Sequence, residues 1–335
     1  MAKAGPGKQG RRGMWAILAV FLLTAIGAAA FLAGPRVAVD TTIRFDLATI
    51  GEDVEAYLAG RERDVPNLRD GVGKEIVWAF PTSKARTPLA IVYIHGFSAS
   101  SGEIRPVPDE IASRLGANLF FTRLTGHGQD GAAMATGSVN AWVNDYAEAI
   151  EIGRRLGSRV VVVATSTGAG LATWAATQPE LSEDVAALVL VSPNYRIRAA
   201  GASLLTGPWG GQIARLASGA ERQFTPRNEA HGRLWTPRYP TEAILPMAAL
   251  TKLAHDAPVE EIGIPAFFVY SAGDRIVDAE VTADIAARWG ALSDSLLIES
   301  SGDPQNHVIT GDALSPQTNE LIIETSVNWL RENAL

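Results

Sequence analysis

The sequence predicts an α/β fold, a mostly parallel sheet with helices on both faces, and three observations predict it. Short runs such as residues 89–94 (LAIVYI) and 159–164 (RVVVVA) are almost wholly apolar rather than alternating, the pattern of strands buried on both faces. These runs are separated by stretches with helical spacing, the rhythm of βα repeats. One long stretch, residues 194–262, holds no strand-like run and reads as an insertion between two sheet strands.

Taken in order, residues 74–80 read as a strand, and 89–94 as a buried strand ending at His95-Gly96. Residues 109–115 read as a helix with Asp109 in the N-cap place after Pro108. A short strand at 118–122 and a helix at 140–156 follow, then the strand at 159–164 and an Ala-rich helix at 168–177. Strands are expected at 187–192, 266–271 and 295–299, and an amphipathic helix at 318–331 closes the chain. The insertion carries Trp209, Phe224, Trp235 and Tyr239 and is expected over the C-terminal edge of the sheet, where open α/β folds bind ligands.

The chain has 335 residues, 47% of them apolar and 19% charged, enough to bury a sizeable core. Its 36 acidic residues outnumber 29 basic ones, and no basic block is present. Nucleic acid is therefore not an expected partner, because phosphate neutralisation needs clustered Lys and Arg. There is no cysteine, which excludes disulfides, cysteine-ligated zinc, iron–sulfur clusters, a cysteine nucleophile and a lipidated cysteine. No set of residues stands at metal-ligand spacing, so no metal is expected.

Residues 14–33 carry no charge, and at about 1.5 Å rise per residue such a helix matches the roughly 30 Å hydrocarbon core of a bilayer. Lys3, Lys8, Arg11 and Arg12 precede it, so the positive-inside rule sets the N-terminus in the cytoplasm and the rest outside. A retained signal anchor is the first reading. A cleaved signal peptide, with an A-x-A-like site at Ala28-Ala29-Ala30 and a secreted product, is the alternative, and a buried core helix the third. The expected organisation is a basic cytoplasmic tail at 1–13, the membrane segment at 14–33, a lead-in at 34–73, a core at 74–193 and 263–335, and a cap at 194–262.

The chemistry centres on Ala164-Thr165-Ser166-Thr167-Gly168, where a strand turns sharply into a helix. A nucleophile elbow needs small residues two positions either side of the nucleophile, here Ala164 and Gly168. The pentapeptide alone equally fits a strand ending in a Ser/Thr N-cap. A serine nucleophile requires a base, and the base an orienting acid. Of the histidines downstream, His231 and His255 lie in or beside the insertion, whereas His307 follows the last strand. Asp274 follows a strand and a tight Gly273 turn, which suits the acid; Asp278 is its nearest rival but is better placed to cap a helix. The oxyanion donors are expected to be the backbone N–H groups of Thr167 and of Phe97, in the loop after residues 89–94. His95 reads as structural, its ring bonded to loop backbone.

Together these residues resemble the α/β-hydrolase superfamily, and within it the branch of monoacylglycerol lipases, carboxylesterases and serine aminopeptidase-type hydrolases. The resemblance rests on Tyr93-Ile94-His95-Gly96-Phe97, Arg123-Leu124-Thr125-Gly126-His127-Gly128, Trp142 to Asp145, Ser166 in its turn, Gly273-Asp274 and Asn306-His307, and spans roughly residues 74–333. Ala164 departs from the family's first glycine, Thr165 stands where many relatives have histidine, and Thr125 where many have proline. The resemblance implies that His127 belongs to a structural Gly-His-Gly turn, that 194–262 is the cap, and that no metal or cofactor is needed. Cap residues Leu204, Leu205, Trp209, Ile213, Leu216, Ile244, Leu245, Met247 and Leu250 either line an acyl pocket or form the cap's own core.

The expected activity is hydrolysis of carboxylic esters, small or lipid-like, through an acyl-enzyme on Ser166, His307 and Asp274, at a membrane. The rival expectations are peptide hydrolysis of the aminopeptidase kind with Glu229, Glu260 or Glu261 holding a substrate amine, acyl transfer, and a non-catalytic binding module on the same fold.

Overall fold

The computed structural model describes residues 8–334, so positions 1–7 of the expected basic tail lie outside the described residues. The first helix, α1 (Lys8–Leu32), contains Gly13–Leu32, which has a mean hydropathy of 2.4 and no buried residue. An extended strap follows and leads into α2 (Val54–Arg63), whose N-cap Asp53 accepts a hydrogen bond from Ala56 N–H.

The strands of the domain are β1 (Glu75–Val77), β2 (Thr87–Ile94), β3 (Asn118–Phe121), β4 (Gly157–Thr165), β5 (Val185–Val191), β6 (Glu221–Gln223), β7 (Arg238–Pro240), β8 (Ala266–Tyr270) and β9 (Ser293–Leu297). Seven of them form one sheet in the order β1-β3-β2-β4-β5-β8-β9, and all pairs in it are parallel except β1 with β3. This is the mostly parallel sheet that the apolar runs predict. In register, Ile94 lies beside Ala164, Thr165 beside Val191, and Val191 beside Val269. The loops leaving β2, β4, β5 and β8 therefore emerge side by side at one edge.

Alternate strand residues go to opposite faces, and both faces are covered. Val92, Ile94, Val162, Ala164, Leu190 and Phe268 pack against α4 (Val139–Leu156), α5 (Thr167–Ala175), α9 (Ile244–His255) and α10 (Ala279–Arg288). Ile91, Tyr93, Val161, Val163 and Val269 pack against α3 (Val107–Leu115) and α11 (Asn319–Asn333). A two-sided core explains why the strands read as apolar runs: neither face meets water.

Two expectations change in detail. Helix α3 starts at Val107 without a side-chain cap, because Pro108 is tolerated in a first helical turn. Asp109 is thus inside the first turn and pairs with Arg105, 2.7 Å away, instead of capping. The insertion is not free of strands: β6 and β7 pair as an antiparallel hairpin, too short, at three residues each, to leave a readable alternation.

The expected cap also divides. Its first part, with α7 (Gly210–Ser218) and the hairpin, forms a small core with Met134 of the preceding segment around Ala214, Tyr239, Ala243 and Ile244, whereas α8 (Glu229–Leu234) packs Ala230 and Leu234 against the α3–α11 core. Helix α9 instead buries Ala249, Leu250 and Ala254 in the same layer as α4 and α5, so it covers the sheet. Leu250 is accordingly core, while Leu216 is 90% exposed.

The lead-in is stitched to the domain by polar groups. Asn144 Oδ1 on α4 accepts hydrogen bonds from the N–H groups of Arg44 and Phe45 at 2.6 and 2.7 Å. Glu62 on α2 forms a bidentate pair with Arg123 at 2.8 and 2.9 Å, and Tyr57 donates to the buried Glu148.

Candidate active site

Ser166 is the residue between β4 and α5, with φ 51° and ψ −114°. A side chain at positive φ is strained, and the surroundings hold it there. Its N–H donates to Val191 O at 2.9 Å, and its carbonyl accepts from Gly170 N–H and Asn194 N–H, both at 3.0 Å. The turn needs Gly168: a Cβ there would lie 2.4 Å from Ile94 O and 2.5 Å from His95 O. Ala164, by contrast, already carries a fully buried methyl, so the departure at the first small position fits without adjustment.

The structure brings Ser166, His307 and Asp274 together. The Ser166 hydroxyl lies 3.0 Å from His307 Nε2, and His307 Nδ1 lies 2.8 Å from Asp274 Oδ2. Asp274, 1% exposed, is fixed from its other oxygen: Oδ1 accepts from Ile276 N–H at 2.7 Å and Val277 N–H at 2.9 Å. The rival Asp278 caps α10 and pairs with Arg196, away from His307. Burial favours the neutral ring of His307, but the charge and hydrogen bond of Asp274 outweigh it, and Glu103 and Asp303 add to them, so its pKa is raised above the usual histidine value.

The other histidines face elsewhere. His95 is fully buried; its Nε2 accepts from Leu124 N–H at 3.1 Å, so Nδ1 carries the proton and donates to Gly96 O at 2.8 Å. Burial drives its pKa down to about 4, a neutral structural ring. His127 packs 4.9 Å from His95, and burial lowers its pKa as well. His231 stacks on Phe224 within the cap, and His255 is exposed at the end of α9.

Phe97 and Thr167 stand on the two backbone segments that flank the Ser166 turn. Among the described residues neither Phe97 N–H nor Thr167 N–H donates to a protein acceptor, whereas the neighbouring N–H groups of Gly96 and Ser166 do. The Phe97 loop is held from above: Ser98 O accepts from Thr236 N–H at 2.7 Å, and Ser100 Oγ donates to Leu234 O at 2.7 Å. Arg69 from the lead-in clamps that same cap segment through the carbonyls of Arg233 and Trp235 at 2.6 and 2.8 Å. The motif residues between these parts brace them. Asp145 accepts from Thr125 N–H at 2.6 Å, and Trp142 Nε1 donates to Thr125 O at 3.0 Å.

Two acidic residues that the sequence reading did not single out belong to this site. Asp303 Oδ2 accepts from the N–H groups of His307 and Val308, each at 3.1 Å, and sets the histidine loop. Glu103, 3% exposed, accepts from Gly96 N–H at 2.6 Å and from Tyr93 O–H at 3.0 Å. Burial pushes Glu103 up to about 7 against those two hydrogen bonds and the charge of His307. The only signal in the sequence was a lone acid in an otherwise small and hydroxylic loop, Ser98-Ala99-Ser100-Ser101-Gly102-Glu103. No group of residues able to hold a metal ion occurs among the described residues.

Comparison with solved structures finds the same fold. A metagenome-derived lipolytic enzyme aligns over 79% of this chain and 99% of its own, at 22% identity and a TM-score of 0.64. A soluble variant of monoglyceride lipase from Saccharomyces cerevisiae aligns over 81% and 96%, at 13% identity and a TM-score of 0.57. A monoacylglycerol lipase from Paleococcus ferrophilus aligns over 78% and 99%, at 13% identity and a TM-score of 0.54. At these identities the likeness is one of fold. No curated protein matches the chain. Residues 86–299 match the family described as serine aminopeptidase, S33, a span running from the strand before the Phe97 loop past Asp274. This α/β-hydrolase chain therefore belongs to the serine aminopeptidase, S33 family.

Proposed function

We propose that the protein is a serine hydrolase of carboxylic esters, with Ser166 as nucleophile, His307 as general base and Asp274 as its orienting acid. The observation that carries this reading is the unbroken relay from Asp274 through His307 to Ser166, at 2.8 and 3.0 Å. His307 takes the hydroxyl proton as Ser166 attacks the ester carbonyl, and Asp274 holds the ring in the tautomer that leaves Nε2 free to accept it. The N–H groups of Phe97 and Thr167 receive the developing oxyanion. Protonated His307 then releases the alcohol, and a water activated by the same ring frees the acid from the acyl-enzyme. Half-buried Phe97, Leu205, Leu245 and Met247, packed against the cap core, support an apolar acyl chain. The lipases among the solved structures of this fold favour a lipid-like ester.

The family description favours a second reading, aminopeptidase chemistry, which needs a carboxylate at the mouth for the substrate amine. Of the three acids expected for that task, Glu260 is taken by Arg288 at 2.7 Å, and Glu229 and Glu261 are exposed. Helix α1 serves in this proposal as a membrane anchor with the catalytic domain outside the cytoplasm; its hydropathy and full exposure support that role.

The test compares turnover of p-nitrophenyl esters of increasing chain length with an aminoacyl-p-nitroanilide, alongside fluorophosphonate labelling. Ester turnover, and labelling that Ser166→Ala abolishes, are expected. Preferred cleavage of the anilide overturns the ester reading, and absence of labelling in the wild type overturns the catalytic one.

A further inference from the structure

Glu103 is an expensive residue to keep. Its carboxylate is 3% exposed and forms no ion pair among the described residues. Only one of its oxygens is bonded, Oε2, which takes both Gly96 N–H and Tyr93 O–H, while Oε1 accepts no protein hydrogen bond among the described residues. A buried carboxylate without a partner cation costs several kcal/mol. The bond it makes to Gly96, at 2.6 Å, is of the short charge-assisted kind.

What these bonds join is informative. Gly96 directly precedes Phe97, and Thr165 directly precedes Ser166. Tyr93 O–H lies 3.0 Å from Glu103 Oε2 and 3.2 Å from Thr165 Oγ1, so one phenol links the Glu103 carboxylate to the segment carrying the nucleophile. The two segments also meet directly. A Cβ added to Gly96 would stand 2.7 Å from Glu103 Oε1 and 3.2 Å from the Cβ of Ser166, so no side chain fits between them.

We propose that Glu103 is a positioning residue for the oxyanion site: by holding Gly96 N–H and, through Tyr93, Thr165, it fixes the Phe97 and Thr167 peptides in one mutual orientation. This rests on the assignment of Ser166 as nucleophile. Gly96 N–H is held by the carboxylate, while the next N–H, that of Phe97, donates to no protein acceptor among the described residues. Two donors aimed at one point stabilise an oxyanion far better than two that fluctuate independently, because no reorganisation is needed as charge develops.

Three full-length variants test it on soluble p-nitrophenyl acetate and, separately, by the rate of fluorophosphonate labelling. Glu103→Ala removes the acceptor; kcat is expected to fall by about 10²-fold, comparable to loss of an oxyanion donor, with KM within about threefold and labelling slowed in parallel. Glu103→Gln keeps an oxygen for Gly96 N–H and should restore kcat to within about tenfold of wild type. Tyr93→Phe removes the phenol bonds to Glu103 and Thr165 but leaves Gly96 N–H held, and should fall between them. Thermal unfolding of each variant separates loss of fold from loss of orientation. Wild-type kcat in Glu103→Ala overturns the proposal, as does equal impairment of the Ala and Gln variants with unchanged labelling rates. A loss confined to amine-bearing substrates also overturns it, by assigning the carboxylate to substrate binding. Should wild type turn over no ester yet label at Ser166, the ester reading fails, and the labelling rates still decide the role of Glu103.

Discussion

The indole N–H of Trp209 donates to the carbonyl of Phe31 at 3.0 Å, so the cap grips the last turn of the apolar N-terminal helix. A second bond, from Trp209 N–H to Pro35 O at 2.8 Å, completes the grip, and both form with Trp209 at φ 64°. A bulky residue in the left-handed region costs roughly 1–2 kcal/mol, and glycine avoids most of that cost. Trp209→Ala should therefore lose the indole bond and keep the strain, whereas Trp209→Gly loses the bond and relieves the strain. The Gly variant is expected to be the more stable of the two by about 1 kcal/mol in chemical unfolding. Limited proteolysis between 196 and 209 should accelerate in both, and turnover of p-nitrophenyl acetate should stay near wild type.

The serine turn sets a sharper asymmetry. Gly168→Ala would drive a methyl to 2.4 Å from Ile94 O, into the backbone of β2, an interior strand that neighbours β4. Backbone cannot swing aside as a side chain does, so the variant should lose about 3 kcal/mol or more and most of its activity. Ala164→Gly, on the other side of Ser166, removes a methyl the structure already accommodates and should cost about 1 kcal/mol with activity kept. Urea unfolding and ester turnover of the pair check this.

The parts of the fold and site that were legible in the sequence are those where one local pattern answers to one physical demand. Strands buried on both faces must be apolar at every position, which made β2, β4, β5 and β8 visible. The small residues around Ser166 answer to the sharp turn, and Asp274 and His307 were found because strand ends converge on one edge. The hairpin β6–β7 was not visible, because strands of three residues are too short to show an alternation. Glu103 was missed for a different reason. Its partners are a backbone N–H and a tyrosine seven and ten residues away, neither of which has a spacing signature. Helix α9 reads as cap by position, and only packing of Ala249, Leu250 and Ala254 against α4 and α5 puts it under the sheet.

A buried ion pair at the start of the core also receives a hydrogen bond from the lead-in. Lys74 and Glu148 bond to each other with side chains 4% and 3% exposed, and Tyr57 also donates to Glu148. Asp145, one turn earlier on α4 and half-buried, is held with its pKa raised by burial, against the charge of Lys74. Lys74→Met thus leaves a buried carboxylate with only the exposed Arg61, 3.9 Å away, as its cation, and removes a favourable field from Asp145. Destabilisation of about 3–5 kcal/mol is expected. Adding Glu148→Gln should recover part of it, since an amide costs less to bury than an unpaired charge. Equal stability of the single and double variants in urea unfolding would show that Glu148 is not the group left uncompensated.

Charge in the site makes two pH dependences separable. For ester turnover, His307 must be neutral to accept the serine proton, and the carboxylate of Asp274 raises its pKa above the usual 6.5 despite burial. The acidic limb of kcat/KM should therefore lie above pH 6.5. Asp274→Asn should move it to lower pH while cutting the rate by something on the order of 10⁴-fold, because the ring loses its tautomer. For stability, Glu103 acts in the opposite sense to a paired carboxylate. Unfolded, it ionises near 4.5; folded, burial holds its proton until about 7. The folded state therefore binds more protons across that window, and the contribution of Glu103 to stability is complete below pH 4.5 and lost as pH rises through 7. The size of the shift corresponds to about 3 kcal/mol. His95 works the other way, since its pKa falls to about 4 on folding and its contribution is lost as pH falls below 6.5. The total stability curve mixes the two, so the difference between wild type and Glu103→Gln is the quantity to measure. That difference should shrink against wild type by about 3 kcal/mol between pH 4.5 and 7, and a difference flat with pH would mean that Glu103 titrates at its ordinary value.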